Sequence, residues 1–516
     1  MEHGGDICIG RFLVGVLIIS SAIGASEAGV CTPHNEASLL NLKSGLIDTT
    51  GQLTNWKAGT NCCYWKYIGC VSDRNNTIVG LDLRFVAVDH SKPGLWAAAI
   101  ANITTWDALF FIDFDISGPF PVEFLHLPYL TGYYFDNCNL TGTIPKELAS
   151  QTALTGLSIT NQPGMTGPIP EELCNLSGLL ELNIASVAVT SVPDCFDKPP
   201  NLSFLFIVDT LISGPIPPSI ARMKNLGNLQ LQQNHFYGPI PDLTSGLKGT
   251  LEYIDLSNNQ LTGPFPASMA QSIPLQWVNL TSNRLEGPLP DLSQLTYLRE
   301  LRLSGNLFSG SLPSSVGALP KLQVLELDNN MLSGSIPPGF SNFCNLEGAK
   351  EAQMCNISLS GNQLTGKIPV QFFNVYSPNA SFDISYNHLS GFVPRLIGPR
   401  IVRLIASHNY LFGGFALELT AIQYVDLSHN HLTKAGQIGY FPKKGHAITD
   451  LLLANNGLKG PFPQWLFLLN DTLAGLDISS NYFAGPLPDF YHDFPFLRRL
   501  NVSHNFFSGG PPKLHP

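Results

Sequence analysis

One pattern, L-x-x-L-x-L-x-x-N-x-L-x-G-x-I-P, returns every 23–25 residues from about residue 78 onward. Clear copies run Leu226-Leu229-Leu231-Asn234-Phe236-Gly238-Ile240-Pro241 and Leu251-Ile254-Leu256-Asn259-Leu261-Gly263-Phe265-Pro266. Leu275-Val278-Leu280-Asn283-Leu285-Gly287 and Leu298-Leu301-Leu303-Asn306-Phe308-Gly310 follow in step. First positions fall at Trp106, Leu130, Leu154 and so on to Leu322, and resume after an insertion at Met354, Asn379, Ile401 and onward to Leu497. With a degenerate copy at Ile78 this makes about eighteen repeats. A unit this short cannot bury its own apolar face, so the copies must stack. The stack also explains how 47 glycines and 39 prolines fit a 516-residue chain that is 44% hydrophobic. Each coil needs its own turns.

The spacing has a physical reading. Alternation in x-L-x-L makes a short strand with leucines inward and x residues outward. Stacked strands form a parallel sheet whose outward residues line up in columns. The Asn three places after the last strand leucine sits where the chain turns inward, and its amide can serve unpaired backbone groups of its own and adjacent coils. Twelve consecutive copies, Asn234 to Asn505, keep it. Earlier copies hold Val86, Phe114, Cys138, Gln162, Val187 and Thr210 instead. Cys138 therefore reads as a buried thiol. The G-x-I-P segment opens the convex side as an irregular or short helical run. The expected fold is an α/β, strongly β-dominated solenoid: a right-handed horseshoe or superhelix with a parallel sheet on its concave side.

Residues 1–28 read as a signal peptide, with an apolar run Phe12–Ala25 after Arg11 and cleavage after Ala28. No later stretch is apolar enough to span a bilayer, so the mature chain is expected to be secreted without a membrane span. Ten N-x-S/T sequons fit that route: Asn75, Asn102, Asn139, Asn175, Asn201, Asn279, Asn356, Asn379, Asn470 and Asn501. Residues 29–77 form a cap holding Cys31, Cys62, Cys63 and Cys70, for which Cys31–Cys62 with Cys63–Cys70 is the natural pairing. Cys174 and Cys195 lie in neighbouring repeats and can bridge them, and Cys344 and Cys355 bracket the insertion. Residues 78–516 form the array, with no recognisable C-terminal cap.

Copies with L-x-G-x-I-P resemble the plant-type leucine-rich repeat family, and Leu39-Leu40, Lys43, Trp56, Cys62-Cys63-Tyr64-Trp65 and Ile68-Gly69-Cys70 resemble its N-terminal cap. Within it, Leu127-Pro128-Tyr129-Leu130-Thr131, Asn139-Leu140-Thr141-Gly142, Tyr424-Val425-Asp426-Leu427-Ser428 and Leu500-Asn501-Val502-Ser503 are similar to polygalacturonase-inhibiting proteins. The repeat number departs from those inhibitors and is that of receptor-like ectodomains. The resemblance implies a cell-wall defence protein that blocks a pectin-degrading enzyme, with pathogen polygalacturonase as partner and cell-wall pectin as a further candidate. The alternative is a receptor-like ectodomain or soluble decoy for a peptide or co-receptor.

No catalytic motif is present: GxSxG, P-loop, HExxH and GxGxxG are all missing. Asp113-Phe114-Asp115 mimics a calcium loop, but Glu123 arrives one position early and the segment is a repeat's turn. A net charge of −10 without a basic stripe argues against nucleic acid. Neither cofactor nor metal is expected, nor catalysis. The candidate binding residues are outward ones on the sheet: Phe110, Tyr134, Phe204, Phe206, Gln230, Tyr253, Asp255, Trp277, Arg302 and Glu326. The aromatics are read as exposed anchors, and Arg302 as a ligand contact or a partner of neighbouring glutamates. His408 and His429 hold one position in successive coils, so protonating both is expected to be costly.

Overall fold

The computed structural model describes residues 31–71, 77–84, 86–89, 91–92, 94–243, 249–271, 274–342, 355–370, 379–394, 401–415, 421–434 and 447–510. The signal-peptide segment, Asn75 and Cys344 lie outside them. Where the sequence reads as one array, the chain divides into two compact units, Met1–Phe236 with Ser245–Thr250, and Tyr237–Thr244 with Leu251–Pro516.

The first described element of the first unit is a helix, Pro33–Ser44. Thr32 caps it by accepting from Asn35 N–H, Pro33 fits its first turn, and Gly45 ends it with N–H bonds to Leu42 and Lys43 carbonyls. Leu39 and Leu42 face inward. Trp56 stacks on Trp65 at 5.4 Å, and its indole N–H reaches the Lys66 carbonyl at 2.9 Å. Disulfides join Cys31 to Cys62 and Cys63 to Cys70. The strand Ile68–Val71 pairs antiparallel with Thr77–Arg84, and from there the ladder is parallel.

In that ladder the interior row runs Leu81, Leu109, Tyr133, Leu157, Leu182, Leu205 and Leu229, each in register with the next. All are buried. The early coils fill their interior with rings: Phe111 stacks on Phe135 at 5.1 Å, and Trp96 meets Phe124 edge-on at 5.7 Å. Phe114 thus replaces the ladder Asn with packing. Cys138 stays a free, buried thiol whose Sγ donates to the carbonyls of Phe111 and Asp136 at 3.2 and 3.3 Å. A third disulfide joins Cys174 and Cys195.

The second unit repeats the plan. Ile254, Val278, Leu301, Leu325, Ile357, Phe382, Leu404, Val425, Leu451, Leu476 and Leu500 share one register row. Cys355 is disulfide-bonded. The ladder Asn works in both directions. Asn283 Nδ2 donates to Leu256 O of the preceding coil at 2.9 Å and to Leu280 O of its own at 3.1 Å, while its Oδ1 accepts from Leu261 N–H at 3.0 Å. One repeat is offset: Ala380, not Asn379, pairs with Ile401, and a bulge follows before Ser381 meets Arg403. Asn379 is exposed because the buried position falls one residue later.

A second parallel ladder also forms where the sequence reads as the start of an irregular run. Strands such as Arg284–Pro288, Leu307–Ser311 and Met331–Ser335 pair in succession. Their glycines, Gly287, Gly310 and Gly334, turn at φ of 82°, 78° and 75°, which side chains resist. Short helices such as Ser314–Ala318 come only after the proline.

Candidate ligand-binding faces

Outward side chains of the first sheet form columns. Phe110, Tyr134, Ser158, Asn183, Phe206 and Gln230 make the middle one; Ala108, Gly132, Gly156, Glu181, Phe204 and Asn228 lie beside it. Phe110 stacks on Tyr134 at 4.5 Å, with 7° between the rings. The two glycines let Tyr134 lie across the sheet: a Cβ on Gly132 would sit 2.6 Å from its Cε2, and one on Gly156 2.6 Å from its hydroxyl. This covers the neighbourhood, and Phe110 is only 4% exposed. The expectation that Phe110 is an exposed anchor is corrected. Gln230 is also buried, donating to Asn228 Oδ1 at 3.2 Å. Phe204, 41% exposed, carries the open apolar surface, with half-buried Phe206 6.2 Å away.

Glu181 was missed in the sequence. It lies between Gly156 and Phe204 in the register, and its Oε1 is sealed from solvent with no hydrogen-bond partner. Burial pushes its carboxyl up to about 7. Burial, with the negative charges of Glu181 and Asp107, likewise pushes the Tyr134 phenol up to about 12. The absence of a side chain at the two preceding positions of its column was the available signal.

On the second sheet, Tyr253 and Trp277 are half-buried neighbours in register. The Trp277 indole N–H donates to Glu300 Oε2 at 2.6 Å. Arg302 is clamped: Nη2 meets Glu300 Oε2 at 3.0 Å and Nη1 reaches both oxygens of Glu326 at 2.8 and 2.7 Å. The glutamates hold this arginine, as one of the two expected roles had it. Asp255 is buried rather than presented; its Oδ1 accepts from Ser257 N–H at 2.9 Å and its carboxyl is raised chiefly by burial. Asp383, Asp426 and Asp477 each cap a serine two residues on, accepting from Ser385, Ser428 and Ser479 hydroxyls at 2.6–2.7 Å. These aspartates thus serve the turn chemistry of the L-D-L-S wording.

Beside the sheet edge, the second unit holds an open groove of about 900 Å³. One wall stacks Tyr386, His408 and His429 at 4.1 and 3.9 Å; the other aligns His388, Tyr410 and His431 at 5.7 Å. Among the described residues no Lys, Arg, Asp or Glu lines it. The signal lay in Tyr386-Asn387-His388, His408-Asn409-Tyr410 and His429-Asn430-His431, which flank the ladder Asn with rings. His408 is held below the usual imidazole range by burial first and by His429 next, with Asp426 opposing.

Of the sequons, Asn102, Asn139, Asn175, Asn201, Asn379, Asn470 and Asn501 are exposed, whereas Asn279 and Asn356 are half-buried on the sheet. Their amides donate to Asp255 Oδ2 and Glu326 Oε1, both at 3.1 Å. Among the described residues no group of three or more His, Cys, Asp or Glu could hold a metal, and no helix is long and apolar enough to cross a membrane.

Residues 33–71 match the leucine rich repeat N-terminal domain, and residues 250–272, 297–319 and 321–343 match leucine rich repeats. Receptor-like protein 35 of Arabidopsis thaliana is 30% identical over 174 residues, 32% of this chain and 18% of its own. Receptor-like protein 32 of the same plant is 28% identical over 221 residues, 42% and 24%. The match thus spans about a fifth of each relative's length. In fold, the chain is similar to the ectodomain of the Arabidopsis receptor kinase HAESA, crystallised with an IDA peptide hormone. That likeness has a TM-score of 0.59 at 24% identity and covers 93% of this chain and 94% of the other. PEPR1 with AtPEP1 gives 0.62 at 22% identity, covering 93% and 76%.

Proposed function

Since the chain is a leucine-rich repeat protein of the plant type whose relatives include receptor-like proteins, we propose that it is an extracellular ligand-binding module of the receptor-like kind. Its sheet face reads a peptide or a peptide-bearing partner. The observation that carries this reading is Phe204: a large apolar side chain standing open on a rigid ladder, flanked by Phe206 and Glu181. Exposed rings fixed by a sheet make efficient anchors because little motion is lost on binding. The peptide complexes of HAESA and PEPR1 share this fold and motivate the choice of ligand class. The inhibitor reading rests on the early and late repeat resemblance alone, and the relatives favour the receptor-like alternative.

The test exposes the immobilised, secreted protein to a size-fractionated pool of apoplastic peptides and, separately, to fungal polygalacturonases. Peptides retained by the wild type and lost in Phe204→Ala support the module. Inhibition of polygalacturonase without peptide retention would replace it with the inhibitor.

A further inference from the structure

Among the described residues, no cation offsets the burial of Glu181. Beyond the first strand of the parallel ladder, Thr77–Arg84, which carries Arg84, the six strands Ala108–Ile112, Gly132–Asp136, Gly156–Gly167, Glu181–Val189, Phe204–Thr210 and Asn228–Gln230 contain no lysine or arginine. They do contain Asp136, Glu181 and Asp209. The second sheet differs: Arg302 bridges Glu300 and Glu326, and Arg499 pairs with Asp450. On the first face Asp136 accepts from Thr160 and Asn161 side chains at 2.8 and 2.7 Å, and Asp209 from Ser186 at 2.9 Å. Those two are satisfied by neutral donors. Glu181 is not, because its Oε1 is buried without a partner.

A carboxylate in that state is costly unless it takes a proton or a partner completes it. The surroundings narrow what can do so. Phe204 stands open in the next coil, and the Tyr134 hydroxyl, laid over Gly156, comes within electrostatic reach. Asp107 adds a second negative charge near the same phenol. A neutral donor would supply a hydrogen bond but gain nothing from this field. A cation gains from the carboxylate, from Asp107 and from the ring faces together.

We propose that Glu181, with Tyr134 and Phe204, is the recognition point for a cationic group of the ligand, a lysine or arginine side chain or a free amino terminus, set beside an apolar residue that rests on Phe204 and Phe206. This rests on the reading of the sheet as a peptide-binding face. Among the described residues, Tyr134 faces Glu181 and is itself within reach of Asp107; neither supplies a positive charge. A cation binds the ionised carboxylate, so binding drives off the proton and strengthens as pH rises. With the carboxyl at about 7, affinity for a lysine or arginine falls about tenfold from pH 8 to pH 6, and that for a free amino terminus falls less, because the amine itself loses its proton near pH 8.

The experiment retains a random heptapeptide library, synthesised with acetylated and with free amino termini, on the whole protein and on its Glu181→Gln variant. The expected wild-type selection is a lysine or arginine next to an aromatic or aliphatic residue. Enrichment confined to the free-terminus library would identify the amino group instead. Glu181→Gln keeps the apolar preference, loses the cation preference at least tenfold and loses the pH dependence. A wild type without cation preference, a preference surviving in the variant, or wild-type affinity flat between pH 6 and pH 8 overturns the proposal. The last readout needs no variant to fold. Retention of neutral peptides by both proteins removes only the role of Glu181. Retention of none by either removes the peptide-binding reading as well.

Discussion

Asn306 Nδ2 donates to Leu280 O, one coil back, at 2.9 Å, and to Leu303 O of its own coil at 3.0 Å, while Leu285 N–H donates to its Oδ1 at 3.0 Å. One buried side chain thereby satisfies backbone groups in two coils. Asn306→Ala leaves Leu285 N–H without its acceptor and takes one of two amide donors from Leu280 O and Leu303 O, which Asn283 and Asn330 still reach, and is expected to cost about 1–3 kcal/mol. Asn505→Ala, at a part-buried site, costs less. Hydrogen exchange at Leu285 N–H and the thermal midpoint report this. Equal losses at the two positions would contradict the ladder account.

The glycan map should be uneven. Attaching a sugar at Asn279 or Asn356 disturbs the hydrogen bond its amide donates to Asp255 or Glu326 and crowds a half-buried site. Glycopeptide mass spectrometry is expected to find both less occupied than exposed Asn102, Asn175 and Asn470. Full occupancy of Asn279 would mean that the central sheet is shielded from partners.

His408 binds its proton less readily folded than unfolded. Below the unfolded value of about 6.5 the unfolded chain gains a proton that the folded chain refuses, so stability drops as pH falls through that value toward the lower folded one. His429→Asn removes the stacked neighbour and should raise the His408 titration midpoint in NMR. An unchanged midpoint would leave burial as the whole cause.

Cys138 should be inert in the native protein. Burial pushes its thiol up to about 12, so at pH 8 it is almost wholly protonated as well as sealed. Iodoacetamide is expected to label it only after denaturation, and rapid native labelling would place it on an opening segment.

Much of the fold could be read from the chain because its period forces stacking. The interior rows through Leu229 and through Ile254 and Val278 follow from alternation alone, as does the ladder Asn. The second ladder escaped notice because three-residue pairings around a glycine leave no apolar alternation. Outward position was a poor guide to exposure. Phe110 points out of the strand and is still buried, since Gly132 and Gly156 let Tyr134 lie down beside it. Glu181 and the His/Tyr groove depend on what adjacent coils place together, which a single repeat does not reveal. The aspartates of the L-D-L-S wording point outward, but they are spent on their own serines.

The central claim is that ligands are read on the sheet, and carbene footprinting of the protein with and without the retained peptides tests it most directly. The account predicts reduced labelling of Tyr134, Phe204 and Phe206, with no change at exposed Val122 and Tyr129 beyond the strands. Protection confined to Val122 and Tyr129, with Phe204 labelled as in the free protein, would contradict it.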